Sequence, residues 1–142
     1  MDEIEKIRSK LNGISVFVNE IRSKLPPTLD RYFSSEFVLK RAFERDLQLI
    51  SDTEMEILAL LARLKDVGIA ATDSGLIDKF RNILTFKTLE HVRELRRLRN
   101  VLTHAYADRK YDEKVYNSAT MLESVEVFVE EVEKIVKSLH KV

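Results

Sequence analysis

Apolar residues recur along this chain at spacings of three and four, the period of helices that bury one face. In the first stretch Ile4, Ile7, Leu11, Ile14, Val18, Ile21 and Leu25 form a seam of a and d positions over three heptads, and Pro26-Pro27 ends it. Gly13 lies inside this stretch, where a helix tolerates it at a cost of about 1 kcal/mol. Such a seam serves either a coiled-coil dimer or one face of the chain's own bundle. The second use is expected in a short chain.

Four more helices follow from the same periodicity. Ser34-Ser35 offer N-caps for a helix running to about Asp66, with Phe37, Val38, Phe43, Leu47, Ile50, Ile57, Leu58, Leu61 and Leu64 as its apolar positions and Val67-Gly68 as its end. Thr72-Asp73-Ser74-Gly75 caps a short helix with Leu76, Ile77, Phe80, Ile83 and Leu84. Thr88 opens a fourth, apolar at Leu89, Val92, Leu95, Leu98 and Leu102. Asp112 caps a last helix carrying Val115, Ala119, Leu122, Val125, Val129, Val132, Val136 and Leu139. The expectation is an all-α, up-and-down bundle of about five helices.

The length of 142 residues suits a single domain, 1–142, in which folding hides roughly 70% of the chain's surface. With 44% apolar and 34% charged residues the chain should fold and present ions of both signs to water. The start, Met-Asp-Glu-Ile-Glu-Lys, is acidic where a secretory signal would be basic and then apolar. The longest apolar run, Ile57 to Ala62, is far too short to cross a bilayer, so a cytoplasmic protein without membrane contact is expected.

Several chemistries drop out for want of residues. The absence of cysteine removes disulfides, thiolate metal sites and thiol nucleophiles. Glycine stands only at 13, 68 and 75, so neither a P-loop nor a dinucleotide fingerprint can be written. The Glu-x-x-His pairs of di-iron bundles are missing, since Thr88, Val101 and Lys137 precede the three histidines at that spacing. His91-x-x-Glu94 has ligand types one turn apart but reads as a surface feature, as do His140 near the end and the acidic run Glu123, Glu126, Glu130, Glu131 and Glu133. No metal and no cofactor are expected.

Charge changes the picture locally, because 24 basic residues balance 24 acidic ones over the whole chain. Between Arg93 and Lys110 there are six basic residues against Glu94 and Asp108. This segment contains Arg99-Asn100-Val101-Leu102-Thr103-His104-Ala105-Tyr106. Arg99 and His104 lie about 140° apart on an ideal helix, so they meet only if the helix ends between them, if a partner helix closes the gap, or if two subunits face each other about a two-fold axis. The two-fold arrangement is preferred. Chemically the pair suits RNA cleavage without a metal: an imidazole takes the 2′-hydroxyl proton or returns one to the leaving oxygen, while a guanidinium holds the phosphate oxygens as charge builds. DNA lacks that hydroxyl.

The same string resembles the Arg-x4-6-His signature of HEPN domains and, in its Arg-x4-His-x-Tyr form, the HepT toxins. Arg41-Ala42-Phe43-Glu44-Arg45-Asp46-Leu47-Gln48 resembles the family's second-helix pattern, and the helical layout matches over essentially the whole chain. The resemblance implies a HEPN-like homodimer, the ribonuclease toxin of a type VII toxin–antitoxin system, with Arg99 and His104 catalytic at a cleft between subunits. It also implies that a cognate minimal nucleotidyltransferase antitoxin, MntA-like, silences the toxin by attaching AMP to Tyr106. Bulk and negative charge there would compete with substrate phosphate. Asn100 is assigned a supporting role, and Arg93, Arg96, Arg97, Arg109 and Lys110 are assigned to the RNA backbone. The alternative is a HEPN-like binding module without catalysis, paired with a nucleotidyltransferase.

Overall fold

The structure, a computed structural model, describes residues 2–104 and 111–140, and of His104 and His140 the backbone alone. All regular elements among the described residues are helical: α1 (Glu3–Lys24), α2 (Leu29–Phe33), α3 (Phe37–Lys65), α4 (Asp73–Asp78), α5 (Phe86–His104), α6 (Asp112–Thr120) and α7 (Leu122–His140). The all-α expectation holds, with seven described helices instead of about five.

A capping box starts α1: Asp2 accepts from the Glu5 amide at 2.8 Å, and the Glu5 carboxylate accepts from the Asp2 amide at 3.3 Å. Along the helix Ile7, Leu11, Ile14, Val18 and Ile21 are buried, and Ile4 and Leu25 pack against the same core. Each such side chain stabilises the fold by about 2 kcal/mol. The heptad seam is therefore consumed inside the chain's own bundle, where α1 lies on α3 and α7. Leu25 turns extended before Pro26, which ends the helix as expected.

The two extra helices have local causes. Thr28 caps α2 by accepting from the Arg31 amide, and the hydroxyls of Ser34 and Ser35 both donate back to the Arg31 carbonyl. These serines thus close α2 instead of opening α3, whose cap position is Glu36 without a side-chain hydrogen bond. Phe37 and Val38, expected in the core, are 60% and 75% exposed because they precede the buried face of α3. The last helix breaks at Met121, where the hydroxyl of Thr120 competes for one of the helix's own acceptors. Thr120 Oγ1 donates to the Asn117 carbonyl at 2.7 Å. Asp112 begins α6 without capping it and bonds Lys40 Nζ on α3 at 2.9 Å instead.

Four long helices close a ring of neighbours, α1 on α3, α3 on α5, α5 on α7 and α7 on α1, while α6 crosses onto α3. Their cross-links fix the directions. Lys10–Glu56 and Glu3–Arg63 run in opposite order along α1 and α3, and Arg8–Glu133 and Arg22–Glu126 do so along α1 and α7. The bundle is thus up-and-down, with Phe43, Ile57, Phe80 and Phe128 among the side chains sealed in its core. Among the described residues no helix is long and apolar enough to cross a membrane.

Candidate active site

Arg93, Arg96, Arg97 and Arg99 lie on α5, and the start of that helix is fastened first. Thr85, just before it, donates from its amide and its hydroxyl to Glu131 of α7 at 2.8 and 2.9 Å, and the Thr88 hydroxyl bonds the same carboxylate. A carboxylate there complements the positive end of the helix dipole. The helix therefore opens before Thr88, which is buried in its first turn.

From this start α5 runs between α3 and α4, and its cations meet acids from both. Arg93 donates to Asp78 at 2.7 Å and to Glu90 at 2.9 Å. Arg96 donates from Nε to Asp73 at 2.7 Å and from Nη1 to Asp52 at 2.6 Å. Arg99 donates from Nε to the same oxygen, Asp52 Oδ1, at 2.8 Å. Burial pushes the Asp52 carboxyl up, but the hydrogen bonds and charge of Arg96 and Arg99 outweigh that and hold its pKa below the ordinary aspartate value.

The sequence-derived RNA contacts consequently separate. Arg93 and Arg96 are each bound by two carboxylates, which neutralises the charge they would bring to a phosphate. Arg97 and Asn100 are exposed. The side chain of His104 and the whole of Tyr106, Arg109 and Lys110 lie outside the described residues. Of the sequence-predicted site residues, the structure brings Arg99 and Arg96 together on Asp52.

One turn further along the same helix pair, His91 corrects its reading as a surface residue. Its Nε2 lies 2.6 Å from Glu54 Oε2, with the Glu54 side chain fully buried. Burial pushes the His91 imidazole down, but the charge and hydrogen bond of Glu54, with Glu94 behind them, raise its pKa above the usual histidine value. The other oxygen, Glu54 Oε1, is buried without a hydrogen-bond partner among the described residues. No group of three or more His, Asp or Glu able to hold a metal occurs among the described residues.

Glu54 and Asp52 were missed in the sequence, and one of them left a signal. Leu47, Ile50, Ile57 and Leu61 mark a three-four stripe on α3, and Glu54 stands where that stripe demands an apolar residue. Nothing comparable marks Asp52.

The sequence profile described as "Ribonuclease HepT-like" matches residues 14–135. The chain belongs to the HepT-like ribonuclease family. No curated protein matches this HepT-like chain. In three dimensions it superposes on a chain of a toxin–antitoxin crystal structure with AMP-PNP, at TM-score 0.79 and 20% identity over 94% of this chain and 98% of the other. A MntA–HpeT toxin–antitoxin mutant with a tyrosine replaced by alanine gives TM-score 0.81 at 18% identity over 94% and 99%. A complex of a tri-AMPylated Shewanella oneidensis HEPN toxin with MNT antitoxin gives 0.80 at 20% over 94% and 99%. At such identities these likenesses show the HEPN fold.

Proposed function

We propose that this HepT-like chain is the toxin of a type VII toxin–antitoxin pair, an endoribonuclease that cleaves RNA without a metal at a cleft between two copies of itself. The observation that carries the reading is the HepT-like ribonuclease match across 14–135, a span that contains the whole string from Arg99 to Tyr106. In this reading Arg99 holds the non-bridging phosphate oxygens. His104 takes the 2′-hydroxyl proton as that oxygen bonds to phosphorus and the 5′ oxygen leaves, and the leaving oxygen receives a proton in turn. Products are a 2′,3′-cyclic phosphate and a free 5′-hydroxyl.

Tyr106 is the site at which a minimal nucleotidyltransferase antitoxin attaches AMP from ATP, releasing pyrophosphate. Support comes from the structural neighbours, one of which is a tri-AMPylated HEPN toxin bound to MNT antitoxin. The adduct adds negative charge two residues from His104 and thereby repels substrate phosphate. Of the RNA-backbone contacts, Arg97, Arg109 and Lys110 remain assigned to phosphate, with Asn100 as support. Arg93 and Arg96 act through the fold instead.

The deciding experiment is intact mass and peptide mapping across Arg99 to Lys110 after co-expression with the antitoxin, followed by RNA cleavage with the toxin alone. Mass increments of AMP on Tyr106, together with cleavage lost in His104→Ala and kept in Tyr106→Phe, are expected. A stable, unmodified complex and a toxin that leaves RNA intact would overturn the reading in favour of a binding module.

A further inference from the structure

We propose that Asp52 is the positioning residue for the Arg99 guanidinium, which rests on the reading of Arg99 as the group that holds phosphate. The carboxylate of Asp52 reaches across from α3 and accepts the Nε–H of Arg99 at 2.8 Å. A guanidinium is planar, so a bond at Nε from a fixed acceptor sets both the plane and the direction of its far edge. Among the described residues, the terminal nitrogens Nη1 and Nη2 of Arg99 meet no acceptor. They form the fork that matches two oxygens of one phosphate. With 29% of its side chain exposed, Arg99 is open enough for a substrate to reach that edge.

Arg96 makes the anchor stiff. Its Nη1 donates to the same Asp52 oxygen at 2.6 Å while its Nε holds Asp73 of α4 at 2.7 Å, so the Asp52 carboxylate is braced from a second helix. Both arginines stand three residues apart on α5, facing one carboxylate. Leu95 and Leu98, buried between and before them, seat α5 in the core and fix the distance to α3. Phosphate approaching the terminal edge of Arg99 need not displace Asp52, because the two acceptors use different nitrogens. The pairing is therefore compatible with substrate and orders the guanidinium before it arrives.

The test uses the full-length toxin and a single-stranded RNA, with Asp52→Asn, Asp52→Glu, Arg99→Ala and the Asp52→Asn/Arg99→Ala double variant. Asp52→Asn is expected to lower kcat about 10- to 100-fold with KM little changed, the size of effect that a misplaced catalytic group produces. Asp52→Glu should recover part of the loss. Adding Asp52→Asn to Arg99→Ala should cost nothing further, since one residue acts through the other. An independent reading of the anchor is the Arg99 side-chain Nε–H signal in a ¹⁵N-edited NMR spectrum, ordered in the wild type and averaged in Asp52→Asn.

Cleavage by Asp52→Asn at or above the wild-type rate overturns the proposal, as do additive losses in the double variant or an unchanged Nε–H signal. If Asp52→Asn does not fold, the same signal and kcat in Asp52→Glu decide. An Nε–H signal that responds to Asp52 in a protein whose wild type leaves RNA intact would instead overturn the ribonuclease reading and, with it, the catalytic consequence of the anchor. The two failures are thus distinct.

Discussion

Glu54 and Asp52 stand two residues apart on α3 and both reach α5, yet their surroundings differ in kind. Glu54 is sealed from water, holds His91 with one oxygen and, among the described residues, leaves the other without a partner. Asp52 is partly open, shares one oxygen between Arg96 and Arg99, and leaves the fork of Arg99 available. Removing two charges from water is costly, and the attraction between them barely repays it. The buried pair therefore fixes how α3 and α5 meet, while the open cluster adds little stability and presents a cation.

The sharpest way to break this comparison is to truncate each acid. Glu54→Ala leaves His91 largely buried without its counter-ion and should cost about 3–5 kcal/mol in denaturant unfolding. Asp52→Ala, in a solvent-screened cluster, should cost about 1 kcal/mol or less. Equal losses from the two variants would show that depth of burial does not separate them.

Acidity separates the pair and the cluster again, in opposite pH windows. His91 has a folded pKa above its unfolded value of about 6.5, so its stabilisation is complete below that pH and is lost as pH rises through the raised folded value. Asp52 has a depressed folded pKa, so its contribution is present above the unfolded value of about 3.9 and is lost as pH falls through the folded one. The melting temperature should decline on the alkaline side in the wild type and less so in His91→Gln. A slope unchanged by that substitution assigns the decline to another group.

How far these features could be read from residues alone depends on what selects them. The α1 seam, the prolines that end it and the Thr72 cap were legible because periodicity and local hydrogen bonding are written in consecutive residues. The break at Met121 and the roles of Ser34 and Ser35 were not, since each depends on which of two nearby helix ends a hydroxyl serves. At the site, the string from Arg99 was legible as a motif. Its carboxylate partners were not, because Asp52 and Asp73 come from distant segments that only packing brings to α5.

A smaller effect concerns a third acid on α3. Burial, with Glu20 of α1 adding its charge, pushes the Asp46 carboxyl up to about 6, while Lys24 pulls it down. A raised carboxyl pKa favours the fold below the unfolded value and forfeits that gain as pH passes about 6, the same direction as His91. Asp46→Asn should raise stability at pH 7.5 by under about 1 kcal/mol, an advantage that vanishes near pH 4, as unfolding curves at the two pH values would report. The smallest effect should come from Asp73→Asn, which removes the charge from one of the two acceptors of Arg96 at an exposed position. A loss of about 0.5 kcal/mol or less is expected, with Asp52 still holding the guanidinium.

The closed ring of four long helices also bears on the order in which the chain assembles. Three of its four interfaces join successive long helices, whereas α1 against α7 joins segments separated by most of the sequence. Closing a long loop is paid for before its contacts are made, so the α1–α7 seam should form after the folding barrier and the other three around it. Weakening that seam, for example at Arg22 and Glu126, should then hasten unfolding while leaving the refolding rate nearly unchanged. The lifetime of the folded protein is set at the place where its first and last helices meet.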